Sequence, residues 1–138
     1  MELKTENEQK KEYLKSYQDA VRREKHILQE IQLLRMDKML PSVINDDMPH
    51  GSGCSDLSDY MVLLDEQINE LKDERLEKML LYKEIEKRIR NMDNDNEREV
   101  LRLKYLRGMT WEEVAVEMGY SWQWIHKIHS KALAHFVL

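Results

Sequence analysis

Residues 108–133 read "GMTWEEVAVEMGYSWQWIHKIHSKAL", and the order of small, capping and apolar residues in this stretch decides the fold. Thr110 is placed to cap a helix, with Glu113 three residues on to complete a capping box and Met109 and Val114 to form a hydrophobic staple. The helix "WEEVAVEM" ends at Gly119, and Ser121 caps a last helix that runs to about Phe136. A helix-turn-helix needs a small residue where its helices cross, a turn residue tolerant of positive φ, and two buried residues three apart to seat the second helix. Ala115, Gly119 and the pair Ile125/Ile128 supply these. With Ile125 and Ile128 inward, the 3.6-residue period turns Trp122, Gln123, His126, Lys127 and Ser130 outward. Trp124 falls at the edge of the buried face and is expected to pack, whereas Trp122 is placed to touch a thymine methyl or a sugar.

Upstream, residues 97–107 predict a short helix with Val100, Leu101, Leu103, Tyr105 and Leu106 for packing, stopped by Gly108. The polar run "NMDNDNE", residues 91–97, marks the boundary between an N-terminal arm, residues 1–92, and a C-terminal unit, residues 97–138. The arm reads as two long helices, about 8–40 and 56–92, joined by a loop over 41–55. The first carries an apolar stripe at Tyr13, Tyr17, Ala20, Ile27, Ile31 and Leu34, with Glu24 inside it. The second, capped by Ser55 or Asp56, steps by fours and threes through Leu57, Met61, Leu64, Ile68 and Leu71. Its register is interrupted at Arg75 and Lys78 and resumes at Tyr82, Ile85, Ile89 and Met92. A helix so long with one narrow stripe needs a partner. The prediction is therefore all-α: a long antiparallel, coiled-coil-like hairpin followed by a C-terminal helix-turn-helix domain, with a homo-oligomer, a dimer first, giving further cover.

Composition narrows the function. The 138 residues carry a net charge of −5, which argues against non-specific nucleic-acid binding by the whole chain. The charge is polarised. Residues 98–138 hold six basic and four acidic side chains, a balance of +2, while residues 1–97 hold 16 and 23, a balance of −7. From Ser121 onward there are two lysines, three histidines and no side-chain carboxylate. A helix presenting Gln, His, Lys and Ser without an acid suits a major groove: Gln123 can pair with adenine, Lys127 with guanine or phosphate.

The 108–133 stretch resembles sigma-70 region 4, whose pattern is a Gly, a capped helix with paired acids, Ala or Gly, Gly, Ser and a recognition helix ending in Ala-Leu. The layout of the chain also resembles the phage-encoded RinA/ArpU-like late transcription regulators. The resemblance implies double-stranded DNA as partner. It places Trp122, Gln123, Trp124, His126 and Lys127 against the bases, and where the family carries arginines this chain has Trp, Trp and His. Arg102, Lys104, Arg107, Ser130 and Lys131 are the candidate phosphate contacts. The expected role is a sequence-specific DNA-binding transcription regulator, a phage or prophage late-gene activator, whose acidic arm dimerises or contacts host RNA polymerase. Two alternatives stand beside it: a protein-interaction module for RNA polymerase or a sigma factor, and a small-terminase-like packaging protein, in which the helix-turn-helix commonly precedes the coil.

No enzymatic chemistry is expected. "MPHGSGCSD", residues 48–56, has neither the Lys of a phosphate loop nor the spacing of a nucleophile elbow and reads as a hairpin loop. His126 and His129 are too few to ligate zinc, so no metal or cofactor is expected. The single Cys54, the absence of an apolar leader in "MELKTENEQKKEYLK" and the lack of a membrane-length apolar run point to the cytoplasm, which the resemblance to phage regulators implies is that of a bacterial host.

Overall fold

The computed structural model describes residues 5–39 and 53–138, which form helices joined by short turns with no strand among them. The elements are α1 (Glu6–Met39), α2 (Gly53–Arg90), α3 (Asp95–Leu101) continued by a π turn (Arg102–Leu106), α4 (Trp111–Met118) and α5 (Trp122–His135). The loop expected over 41–55, with most of "MPHGSGCSD", lies outside the described residues. No helix among the described residues is long and apolar enough to cross a membrane.

Three helix starts differ from expectation by two or three residues, two of them for a reason visible in the caps. Helix α1 begins at Glu6 because Thr5 and Glu8 form a reciprocal capping box: Glu8 N–H donates to Thr5 Oγ1 (3.2 Å) and Thr5 N–H to Glu8 Oε2 (3.1 Å). Helix α3 begins at Asp95 because Asn94 Oδ1 accepts from Glu97 N–H at 3.0 Å. Helix α2 begins at Gly53, so Ser55 and Asp56 lie inside it instead of capping it.

The chain divides into two compact units: one of the residues up to Val21 with Glu77–Leu138, the other Arg22–Leu76. The second is a section of the helical pair. Ile27, Ile31 and Leu71 are buried, with Leu28, Leu64 and Ile68 packed around them. The charges that interrupt the two stripes answer each other: Arg75 Nε lies 3.8 Å from Glu24 Oε1, beside the pair of Arg23 Nε and Glu74 Oε2 at 3.2 Å.

In the first unit the core runs straight through the junction at 91–97. Leu14 of α1, Ile85 and Ile89 at the end of α2 and Met92 just beyond it bury together with Leu101, Tyr105, Leu106, Ala132, Leu133 and Phe136. The long helices run antiparallel here, since Tyr17 meets Tyr82 edge-on (5.5 Å) while Tyr13 lies under Arg88 (5.4 Å). A second cluster joins Val100, Leu103, Val114, Ile125 and Ile128. Segment 100–106 therefore serves two cores from opposite sides. The π turn, closed by Arg107 N–H to Arg102 O (2.9 Å), lets it do so: an i→i+5 turn brings Leu106 to the side of Leu101 and Tyr105, leaving Leu103 with Val100 on the other.

Helix α1 also supplies donors for helix ends formed late in the sequence. The buried Lys10 ammonium donates to Leu133 O (2.8 Å), a carbonyl in the last turn of α5 that lacks an intrahelical partner. Gln18 Nε2 donates to Tyr105 O (3.1 Å) and Leu106 O (3.2 Å), where the π turn frees carbonyls. One polar pair sits inside this core. His129, on α5, is buried with Nε2 2.7 Å from the Tyr105 hydroxyl. Burial, reinforced by Lys11, His126, Lys104 and Lys15, pushes the His129 imidazolium down to about 4, and burial raises the Tyr105 phenol. Tyr105 thus keeps its proton and His129 is neutral.

Two outcomes follow from these contacts. Gly108 (φ +68°) and Gly119 (φ +72°) both hold left-handed backbone, but a Cβ on Gly108 would lie 2.9 Å from Gln18 Oε1, while one on Gly119 meets nothing within 4 Å. In urea unfolding Gly119→Ala is expected to cost about 1–2 kcal/mol and Gly108→Ala more, since it adds displacement of the Gln18 cap to the same backbone strain; equal costs would count against the Gln18 contact. For His129, the unfolded chain binds a proton near pH 6.5 and the folded chain only near 4. Its contribution to stability is therefore complete above about pH 6.5 and lost as pH falls toward 4. The His129 ring resonances are expected to stay at their neutral positions down to about pH 5; titration near 6.5 would show that the ring is not buried.

Candidate nucleic-acid interface

The geometry of α4 and α5 follows from their caps. Thr110 Oγ1 accepts from Glu113 N–H at 3.2 Å and lies 3.1 Å from Glu113 Oε1, so the carboxylate meets the cap hydroxyl and not the cap N–H expected of a full capping box. Met109 packs beside Val114 in the second cluster. At the other end of α4, Gly119 N–H reaches Val116 O (3.3 Å) and Tyr120 N–H reaches Ala115 O (3.1 Å), the paired bonds of a Schellman stop. Ser121 Oγ then accepts from Trp124 N–H at 3.1 Å and starts α5. The turn is thus fixed by backbone bonds and one hydroxyl, at the residues the sequence pattern marks.

Helix α5 is oriented by what it buries. Ile125 and Ile128 sit in the cluster with Val100, Leu103 and Val114; His129, Ala132 and Leu133 face the other core. Opposite them Trp122, Gln123, Trp124, Lys127, Ser130 and Lys131 are exposed on one continuous surface with no carboxylate of their own helix among them. Trp124, expected to pack, is 46% exposed, and Lys127 Nζ lies 5.9 Å from its ring centre. It directly precedes the fully buried Ile125, and the turn of about 100° between successive residues leaves its ring half open to solvent.

His126 is not the open outward group that the period predicts. It is half-buried, its ring 4.0 Å from that of Trp122 and 4.6 Å from that of Trp111, and its Nε2 is buried without a hydrogen-bond partner. Trp111, the first residue of α4, was not singled out by sequence reasoning. It joins the two helices: its ring also lies 4.6 Å from His129, and Lys104 Nζ stands 4.7 Å above it. The signal that was available is Trp122 and His126 four apart, an aromatic pair on one helix side that needs a third ring to cover it.

The candidate phosphate contacts separate by environment. Arg107, Ser130 and Lys131 are exposed. Lys104 is half-buried over Trp111. Arg102 is engaged within the protein: its Nε and Nη2 both reach Glu86 Oε1, at 3.1 and 2.8 Å, and burial is outweighed by that carboxylate in holding its charge. A guanidinium held in this way is a structural tie between α2 and the π turn. Glu97, buried at the start of α3, lies with Oε1 2.6 Å from His135 Nδ1 at the far end of α5. Among the described residues no three His, Cys, Asp or Glu side chains are grouped to hold a metal ion.

Residues 94–135, from the cap of α3 to the last residue of α5, match the family described as Sigma-70, region 4. No curated protein and no solved structure matches the chain.

Proposed function

We propose that this protein is a sequence-specific DNA-binding transcription regulator that lays α5 in a major groove. The observation that carries the reading is the coincidence of the Sigma-70 region 4 match with an exposed, acid-free strip on the second helix of a capped helix-turn-helix. Gln123 and Lys127 lie at the centre of that strip and meet base edges. Trp122 and Trp124 flank them, and His126 acts mainly by holding Trp122. Arg107, Lys104, Ser130 and Lys131 meet phosphates and set the register of the helix on the duplex. A matched region of this kind belongs to DNA-binding regulators and not to catalysts.

The finer assignment, a late-gene activator of a phage or prophage, rests on the order of parts: a long acidic helical pair first, the helix-turn-helix last. The helical pair contacts a second protomer or host RNA polymerase. Leu57 and Met61, which the sequence places on the seam of α2, are exposed there together with Val62 and Leu63, and this uncovered apolar surface supports such cover. A two-fold dimer then reads paired half-sites about one helical turn apart or at multiples of it.

Three substitutions separate the roles. Gln123→Ala is expected to relax preference at one base position by about 1–3 kcal/mol. Lys127→Ala, where it meets only phosphate, weakens binding uniformly across sequences and reduces the salt slope by about one unit. Ile128→Ala leaves the contact set intact and lowers stability by about 2–5 kcal/mol. Affinities for specific and scrambled duplexes at two salt concentrations, beside urea unfolding, check all three. If Gln123→Ala and Lys127→Ala left DNA binding unchanged and instead broke a complex with polymerase, the protein-interaction reading would replace this one.

A further inference from the structure

The base-facing end of α5 is unusually apolar for a DNA-reading helix. Trp122 is 50% exposed and Trp124 46% exposed, at the first and third positions of the helix. N-terminal residues of a recognition helix are those that reach base edges. At about 100° per residue the two indoles stand roughly 200° apart, one on each shoulder of the strip formed by Gln123 and Lys127. Neither ring is free to lie anywhere. Trp122 is held edge-on to His126, which is itself backed by Trp111, and Trp124 lies beneath the Lys127 ammonium. Ser121 Oγ is engaged as the helix cap, accepting from Trp124 N–H.

Bases in an intact duplex present edges and not faces, so an indole in the major groove finds no ring to stack on. Among the groups exposed there, one is apolar: the C5-methyl of thymine. We infer that Trp122 and Trp124 are specificity-determining residues that bury thymine methyls on either side of the base pairs met by Gln123 and Lys127. The target is then a half-site with thymines flanking its centre. This inference rests on the DNA-binding reading above and adds to it the chemistry by which the site is chosen. It also accounts for a recognition helix without arginine: part of the selectivity that guanine-reading forks would supply comes from methyl burial.

The test replaces thymine by deoxyuridine, which removes the methyl and keeps every hydrogen-bonding group. Duplexes bound by the full chain are recovered from a random pool, and thymines in a recovered site are exchanged one at a time while binding is followed by fluorescence anisotropy. The expected result is a loss of about four-fold per contacted methyl (roughly 0.8 kcal/mol) at two or more flanking positions. Trp124→Ala, at an exposed ring, is expected to abolish sensitivity at its own thymine and keep it at the other. Trp122→Phe, which preserves an aromatic against His126, is expected to retain part of the effect. Circular dichroism confirms that the variants fold, and the deoxyuridine series on the unaltered protein needs no variant at all. Specific binding that ignores every exchange would overturn the inference and leave the DNA-binding reading standing, with the indoles assigned to sugars or to a protein partner. Recovery of no specific duplex would overturn both.

Discussion

The seating of Ile125 and Ile128 against Val100, Leu103 and Val114 sets the rotation of α5, and every outward residue takes its place from that rotation. A helix surface is continuous, so burying two residues three apart commits the opposite side to solvent. Here that side carries Gln123, Lys127, Ser130 and Lys131 with an indole on each shoulder. The same helix is held from its other flank by Ala132, Leu133 and the Tyr105–His129 pair, so its roll is fixed by two cores and not one. Rigidity of this kind matters for readout, because a base contact depends on side chains being held in place before the duplex arrives.

The N-terminal end of α1 is part of the same device. Lys10 and Gln18 satisfy carbonyls at the end of α5 and in the π turn, and Leu14 between them lies at the centre of the larger core. The first helix of the chain thus completes the C-terminal unit, which has no other donor placed at those carbonyls in the hydrogen bonds described. The π turn has a comparable role. It rotates Leu106 into one core while Leu103 stays in the other, so that a segment of seven residues joins both. The carbonyls of its last residues are met by the Gln18 amide, and the Arg102–Glu86 pair ties it to α2.

Much of this was legible in the sequence. The four-and-three steps of α2 and the stripe of α1 gave two long helices, and Thr110, Gly119 and Ser121 marked the helix-turn-helix because caps and positive-φ turns act within a few residues of themselves. The family resemblance of 108–133 agrees with the match over 94–135. What sequence reasoning missed depends on partners far along the chain. Lys10 looks like any solvated lysine until it is placed beside residue 133. Glu24 and Arg75 each looked like a defect in a stripe and proved to be one ion pair. The sequence offers Arg102 as a phosphate contact and gives no sign of its carboxylate partner, because Glu86 lies across a helix junction. His126 was assigned outward by period alone, although a ring on α4, Trp111, turns that position into part of the packing. A division of the chain at 91–97 likewise follows composition, whereas the core follows Ile85, Ile89 and Met92 across it.

In the proposed function the outward face of α5 meets DNA. Amide chemical-shift mapping of the full chain, titrated with a specific duplex, tests it most directly. The largest changes are expected in residues 121–131, with smaller ones around Arg107 at the turn before α4, while Ile27, Ile31 and Leu71 stay silent. Changes concentrated on α1 or α2 with residues 121–131 unmoved would contradict the claim and make the helix-turn-helix a scaffold for another surface.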